Sequence, residues 1–142
     1  MRLAIDANAL VSELLRVRGR ALIRRADLML FVSARAWSEA EHELLRRAEL
    51  VARRLGLTPE DAAESVRTGI DTAVAHVRVV PTRMCDPFET EARLRIPRDP
   101  EDWPAVAAAL ALDCSIWTND HDFLGCGVAT WTTETLLLKF GL

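Results

Sequence analysis

The stretch DPEDWPAVAAALALDCSIWTND, residues 99–120, decides the fold class of this chain. Its alanine-rich run, Ala105–Leu112, strongly favours a helix. The apolar run Cys114–Thr118 then predicts a buried strand, and Asp120 follows the end of that strand. A helix that leads into a buried strand is the repeating unit of a parallel α/β sheet.

The same alternation of strands and helices runs through the rest of the chain. Helix boundaries are marked by Gly56, which ends one helix, and by Thr58, which begins the next with Asp61 in a capping-box pattern. We predict strands at 2–5, 28–32, 77–81, 114–118 and 127–131, and helices at 9–15, 34–55, 59–76, 86–95, 105–112 and from 133 onward. The chain is therefore expected to form one domain over residues 1–142, a three-layer α/β/α sandwich with a mostly parallel sheet.

Composition limits the classes of function. The 142 residues are 50% hydrophobic and 27% charged, with a formal net charge of -3. Because that charge repels phosphate, any nucleic acid must be held by a local basic patch. The three cysteines, Cys85, Cys114 and Cys126, lack the paired spacing of zinc sites and are expected to be reduced thiols. No apolar run approaches the roughly 20 residues that span a bilayer, so we expect a cytoplasmic protein with no membrane segment.

Three aspartates occupy positions where carboxylates from distant parts of the chain can meet. Asp6 and Asp120 each follow a predicted strand, and Asp102 begins the helix that leads to the second of these strands. In an open parallel sheet, ligands bind at the edge formed by the carboxyl ends of the strands. Neighbouring carboxylates raise each other's pKa unless a hard cation such as Mg²⁺ or Mn²⁺ neutralises them. The placement therefore predicts a divalent-metal site.

Helix capping is the alternative explanation for these acids. Asp6 or Asn8 can cap the helix that follows the first strand. Asp102 can be the capping-box partner of Asp99, or can itself be the N-cap. Asp99 fits a cap better than a metal ligand, because Pro100 follows at the first helical position.

Three motifs resemble those of the PIN-domain ribonucleases, the group that includes the VapC-type toxins. They are Leu3-Ala4-Ile5-Asp6-Ala7-Asn8, the segment Arg98–Leu110, and the segment Ile116–Phe123. The resemblance spans nearly the whole sequence, and the last two motifs in tandem are its most specific part. It implies a PIN-like fold and metal-dependent cleavage of RNA.

The resemblance also implies which acids form the site. The first, third and fourth acids of the family pattern fall on Asp6, Asp102 and Asp120, and the second falls on Glu39. Asp122 is implied as an auxiliary acid. The implied catalytic residues are Asp6, Glu39, Asp102 and Asp120, and the implied metal ligands are Asp6, Asp102, Asp120 and Asp122. From the residues alone, Asp122 can equally be an outer-shell group or a turn residue.

The choice of the second acid stays open, because Glu43 lies one helical turn after Glu39 on the same face. Alternatively, both glutamates are solvated charges that pair with Arg35, Arg46 or Arg47 of the same helix. His121, between two aspartates, is interpreted as a turn residue rather than a general base.

Metal-assisted hydrolysis is the chemistry that the resemblance implies. One or two Mg²⁺ or Mn²⁺ ions would lower the pKa of a bound water and stabilise charge on the phosphate. Ser12, Asn119 and Arg16 are the residues expected to contact RNA. Arginines gather at 16–25 and 46–54, where they form either a phosphate-binding face or ordinary solvated helix surfaces.

The early arginine-rich helix carries more apolar side chains than one core is expected to bury, namely Leu14, Leu15, Leu22 and Ile23. This excess predicts a homodimer. If the protein is a toxin, an antitoxin protein would bind near the same surface. Two other hypotheses are a PIN-like module that binds RNA or a partner without catalysis, and an aspartyl phosphatase. The phosphatase is disfavoured because Asn8 stands where its second aspartate is expected.

Overall fold

A five-stranded, all-parallel sheet forms the centre of the computed structural model, which describes all 142 residues. The strands are β1 (Arg2–Ile5), β2 (Met29–Ser33), β3 (Val77–Val80), β4 (Ser115–Trp117) and β5 (Thr130–Trp131), in the spatial order β3-β2-β1-β4-β5. The helices are α1 (Ala7–Leu14), α2 (Val17–Ile23), α3 (Ala34–Leu55), α4 (Pro59–His76), α5 (Thr82–Cys85), α6 (Glu89–Arg95), α7 (Trp103–Leu112) and α8 (Thr133–Phe140). Short 3-10 helices cover Asp86–Phe88, Pro100–Asp102 and His121–Phe123.

Helices cover both faces of the sheet, which confirms the predicted three-layer α/β/α architecture. Side chains alternate along β1, so that Leu3 and Ile5 pack with α1, α2, α3 and α8 on one face. Ala4 and its neighbour Ile116 pack against α6 and α7 on the other face. The alanine-rich sequence of α7 lets this helix lie close to the strands, because its small side chains need little space between the layers.

The apolar side chains of the early helical segment are buried within the monomer. The chain turns at Leu15 and Arg16, so that two short helices both face the core. Leu14, Leu22 and Ile23 are 1%, 0% and 1% exposed, and Leu15 packs against the same cluster. The predicted apolar excess on this segment is therefore wrong, and the homodimer loses the basis from which it was predicted.

Local signals otherwise fixed the element boundaries well. Gly56 ends α3 in the left-handed conformation with φ 67°, and Thr58 and Asp61 form the predicted capping box. The structure differs at β4 and β5, which are shorter than predicted, and at α2 and α5, which are not among the predicted helix ranges. All three cysteines are free thiols, as expected. None of the helices combines the length and apolar character that crossing a bilayer requires.

The topology brings the ends of β1 and β4 together. These strands are neighbours, with Ile5 opposite Trp117, so Asp6 and Thr118 follow at the same edge of the sheet. The Asp6 N–H donates to the carbonyl oxygen of Trp117 at 3.0 Å, which continues the strand pairing by one residue. This edge carries the acids singled out in the sequence.

Candidate functional site

Asp6 is buried at the end of β1, where it also begins α1. Its side chain is a helix cap, because Oδ1 accepts from the Asn8 N–H at 3.4 Å, while Oδ2 accepts from the Thr118 hydroxyl at 3.2 Å. Burial raises the pKa of Asp6 to about 6, against the lowering effect of these two hydrogen bonds. The charge of Asp120 raises this pKa further. Asp6 therefore both caps α1 and belongs to an acidic site.

Thr118 connects Asp6 to Asp120. Its hydroxyl oxygen donates to Asp6 Oδ2 and accepts from the Asp120 N–H at 3.0 Å. Asp120 Oδ1 accepts from the Asp122 N–H at 2.8 Å. Because one hydroxyl satisfies both groups and is itself buried, the relative positions of the two aspartates are fixed by the fold rather than by side-chain freedom.

Asp102 lies at the start of α7 without acting as a cap. Its side chain makes no capping hydrogen bond, whereas Asp99 accepts from the Glu101 N–H at 3.2 Å. Burial raises the pKa of Asp102 to about 7, and the charges of Asp6, Asp99, Asp120 and Glu39 raise it as well. The predicted cap at Asp99 is therefore confirmed, and Asp102 is left as a carboxylate surrounded by other carboxylates.

The two candidate glutamates of α3 have different surroundings. Glu43 accepts from Arg46 at 2.6 Å and lies 3.6 Å from Arg47, and the hydrogen bond from Arg46 is the main cause of its lowered pKa. Glu39 forms no ion pair, and its charge acts on Asp102. The paired-arginine interpretation thus describes Glu43, while Glu39 is the glutamate whose charge reaches the aspartates.

We call Asp6, Glu39, Asp102 and Asp120 the acid cluster. None of these four carboxylates is in an ion pair. Asp122 lies at the border of the acid cluster, with its carboxylate 4.0 Å from Arg98, and its charge is not among the causes of the raised pKa values. The structure thus places three of the five sequence-predicted acids, Asp6, Asp120 and Glu39, where their charges act on a fourth, Asp102.

The acid cluster has the donor chemistry of a hard-cation site. Carboxylate oxygens are the ligands that Mg²⁺ and Mn²⁺ prefer, and a cation would offset the repulsion that adds to the effect of burial in raising the pKa of Asp6 and Asp102. The side chains are not drawn together into a ready ligand set, since no three His, Cys, Asp or Glu groups have a metal-holding arrangement. The residues fit the ion in charge and chemistry.

Two adjoining depressions lie over this edge of the sheet. The first, the acid pocket, has a volume of about 290 Å³ and is lined by Asp6, Asn8, Ala9, Ser12, Arg47, Asn119 and Asp120. The second, the polar cleft, has a volume of about 450 Å³ and is lined by Ser12, Arg16, Arg18, Asn119, His121, Thr132, Thr133 and Glu134. Ser12 and Asn119 line both depressions, so the three predicted substrate contacts, Ser12, Asn119 and Arg16, lie together beside the acid cluster.

The arginines divide into structural and available groups. Arg20 donates to the Leu14 carbonyl oxygen, Arg24 to the Thr72 hydroxyl, and Arg25 to Asp27. Arg47 donates to Asn8 Oδ1 at 2.5 Å and to Ser12 Oγ at 3.2 Å. Arg47 therefore places a guanidinium in the acid pocket, where it bonds to two neutral side chains in addition to its ion pair with Glu43. Part of the early arginine group serves the fold, and Arg16, Arg18 and Arg47 face the two depressions.

Two residues of the site were not predicted from the sequence. The sequence offers Arg47 as a partner of the α3 glutamates or as one member of the arginine group at 46–54, but not as a residue of the acid pocket. Glu13 was not singled out at all, although its side chain is fully buried. The available signal was its position on the buried face of α1, between Leu10 and Leu14, where an acid is unusual.

Comparison with known proteins places the chain in a family. A search of curated proteins gave no match. The family model for the PIN domain matches residues 4–141, which includes every element from β1 to α8. PIN domains are generally nucleases that use divalent metals, so the acid cluster lies in a fold typical of that chemistry. The chain belongs to the PIN domain family.

Proposed function

We propose that this protein is a divalent-metal-dependent endoribonuclease that hydrolyses RNA phosphodiester bonds. The observation that carries the proposal is the acid cluster itself. Burial, together with the charges of Asp6, Asp99, Asp120 and Glu39, raises the pKa of Asp102 to about 7, so carboxylates from separate parts of the chain repel one another at this edge of the sheet. Such an arrangement is costly to the fold unless a bound cation offsets the repulsion.

Asp6, Asp102 and Asp120 would hold the ion, with Glu39 and Asp122 beside them. A bound Mg²⁺ or Mn²⁺ supplies Lewis acidity toward the phosphate and a more acidic water. The residues of the chain do the positioning. Thr118 holds the Asp6 carboxylate and the Asp120 backbone in a fixed relation. No side-chain nucleophile is required.

RNA contact is assigned to the residues that line the two depressions. The Arg47 guanidinium in the acid pocket suits a phosphate oxygen, because two of its partners, Asn8 and Ser12, are neutral and a phosphate oxygen can replace them, while Glu43 lies 3.6 Å away. Ser12 and Asn119 line the passage between the acid pocket and the polar cleft, and Arg16 lies further along it. A local group of basic residues of this kind can hold RNA although the net charge of the protein is negative.

A second candidate function is a PIN-like module that binds RNA or a protein partner without catalysis. One observation favours it, namely that no three potential ligands already have a metal-holding arrangement. This candidate predicts RNA binding with no Mn²⁺ uptake and no metal-dependent cleavage.

Cleavage assays separate the two candidates. Purified protein is incubated with single-stranded and structured RNA in Mn²⁺, with EDTA and with the Asp6→Asn variant. The matched control is Asp71→Asn, which changes an exposed aspartate of α4 outside the site. We expect cleavage by the wild type and by Asp71→Asn, and none by Asp6→Asn or in EDTA. Cleavage that persists under both of the latter conditions contradicts the proposal.

Partners and location are part of the same proposal. A toxin role with an antitoxin protein, a homodimer and a cytoplasmic location remain predictions. The free cysteines are compatible with a reducing compartment. Size-exclusion chromatography with light scattering tests the homodimer, since a monomer of 15.8 kDa and a dimer differ twofold in mass.

A further inference from the structure

Glu13 is a fully buried carboxylate that the catalytic proposal does not use. It is 0% exposed, Oε1 accepts from the Thr133 hydroxyl at 3.0 Å and from Arg16 Nη1 at 3.3 Å, and Oε2 has no hydrogen-bond partner. A buried carboxylate with one unpaired oxygen lowers stability, so the fold gains nothing by keeping it. Its surroundings therefore indicate a role other than stabilising the fold.

Close packing of α2 maintains this burial. A Cβ at Gly19 would collide with both the carbonyl oxygen and Oε2 of Glu13. Only glycine permits this approach of the backbone. The acid at position 13 and the glycine at position 19 together keep the carboxylate out of water.

The hydrogen positions around Thr133 follow from the donors and acceptors present. The Trp117 indole N–H can only donate, and it lies 3.0 Å from Thr133 Oγ1. Asn119 Oδ1 accepts from the Thr133 N–H at 2.8 Å, so the amide nitrogen of Asn119 is the atom that donates to Thr133 Oγ1 at 3.0 Å. Both lone pairs of the hydroxyl are then occupied. Its single hydrogen must point to Glu13, the one acceptor left.

Asn119 is consequently held at both ends of its amide in one orientation. Its nitrogen carries a second hydrogen, for which the chain offers no acceptor. This residue is exposed and lies on the border between the acid pocket and the polar cleft. The network therefore presents one fixed N–H donor beside the acid cluster.

The polar cleft indicates what this donor meets. None of its eight lining residues is hydrophobic, and two of them are Arg16 and Arg18. Such a surface offers mainly charge and hydrogen bonds, and the His121 imidazole is its one aromatic ring. A phosphate oxygen of the RNA backbone fits this chemistry better than a base.

We propose that Glu13, acting through Thr133, is a positioning residue that fixes the Asn119 amide as a hydrogen-bond donor to a non-bridging phosphate oxygen of RNA, on the strand that runs from the acid pocket into the polar cleft. The inference rests on the proposed function for the identity of the ligand. It adds a phosphate contact beside the scissile bond and names the network that holds it.

Two matched pairs of variants test this network. Thr133→Val removes the hydroxyl, and Thr133→Ser keeps it. Glu13→Met removes the acceptor of the hydroxyl hydrogen, and Glu13→Gln keeps a carbonyl acceptor without the charge that faces Arg16. Thr72→Val is the control for the first pair, because Thr72 is also buried and hydrogen-bonded but contacts Arg24 and α4.

Affinity is measured with a labelled single-stranded RNA in EDTA, where cleavage does not occur, and kcat and KM are measured in Mn²⁺. We expect Thr133→Val to weaken binding and raise KM by about fivefold with kcat nearly unchanged, which is the effect of one lost contact to a charged oxygen. Thr133→Ser, Glu13→Gln and Thr72→Val should stay within about twofold of the wild type. Glu13→Met should resemble Thr133→Val. If Glu13→Met does not fold, the comparison of Thr133→Val with Thr133→Ser still tests the network.

Side-chain amide NMR examines the network without RNA. The Asn119 amide proton that is bonded to Thr133 should exchange slowly with water in the wild type and Thr133→Ser, and faster in Thr133→Val. Wild-type protein that binds RNA while Thr133→Val binds equally well overturns this inference and leaves the nuclease proposal intact. Unchanged Asn119 exchange in Thr133→Val also overturns it. Wild-type protein that binds no RNA overturns both.

Discussion

The Thr118 hydroxyl donates to Oδ2 of Asp6 at 3.2 Å, although the two residues are 112 positions apart in the sequence. The same hydroxyl accepts from the Asp120 N–H. One buried side chain thereby sets the distance between the acids that follow β1 and β4. The acid cluster depends on this contact for its geometry and for the pKa of Asp6.

Removal of the Thr118 hydroxyl should raise the pKa of Asp6 above its value of about 6, because the hydrogen bond from Thr118 favours the charged carboxylate. Thr118→Val should also lower the free energy of unfolding by about 1–3 kcal/mol, since a buried acceptor loses its partner. A carboxyl-carbon NMR titration and a urea unfolding curve measure both effects. Thr118→Ser keeps the hydroxyl and should behave like the wild type. An Asp6 pKa that is unchanged in Thr118→Val would contradict this prediction.

Asp102 should make the metal-free protein less stable as the pH rises. Its pKa lies at about 7 in the fold against an ordinary value of 3.8, so the folded protein binds a proton that the unfolded chain has released. This stabilising effect is complete below the ordinary pKa and is lost as the pH rises through about 7. Asp102→Asn should therefore raise the melting temperature by a few degrees at pH 8 and hardly at all at pH 4. A gain of equal size at both pH values would be inconsistent with this linkage.

The two glutamates of α3 should differ in their effects on catalysis. Glu39→Gln removes one of the charges that raise the pKa of Asp102, so this pKa should fall. The variant also removes a negative charge that attracts the cation, so the Mn²⁺-dependent cleavage rate should drop roughly tenfold. Glu43→Gln releases Arg46 and should change the rate by less than about twofold, as expected for a surface pair. Initial rates at saturating RNA provide the comparison. The reverse order of effects would identify Glu43 as the functional acid.

Arg47 should contribute to RNA affinity through a phosphate. Arg47→Ala should weaken binding by roughly tenfold and reduce the slope of log affinity against log salt concentration by about one. Arg53→Ala is the matched control, because Arg53 is exposed on the same helix and makes no ion pair. Titrations at several salt concentrations in EDTA measure both quantities. Equal salt slopes for Arg47→Ala and the wild type would rule out a phosphate contact.

Much of the fold was readable from short stretches of sequence. The capping box at Thr58 and Asp61, the left-handed Gly56 and the ends of α3 and α4 use atoms only a few residues apart, so no distant partner is needed to predict them. Asp6 and Asp120 were predicted for a similar reason. Strand ends can be recognised locally, and parallel strands place their ends at one edge.

Contacts between distant segments decided the rest. Glu39 and Glu43 occupy the same face of one helix. The pairs of Glu43 with Arg46 and Arg47 are local to α3, whereas only folding brings Asp102, which precedes α7, within reach of the charge of Glu39. The apolar residues of α2 looked like an interface until the turn at Leu15 directed them into the core. Sequence spacing cannot show such a turn, because it depends on what the helices pack against.

The sequence by itself determined the alternation of strands and helices, the positions of the aspartates at strand ends and the resemblance to PIN domains. Only the tertiary structure decided that Asp102 does not cap its helix, and that Glu13 is buried beneath Thr133. The physical reason is that helix and strand formation depend on near neighbours. The pKa of a carboxylate and the direction of a hydroxyl hydrogen depend instead on groups that only folding brings within a few ångströms.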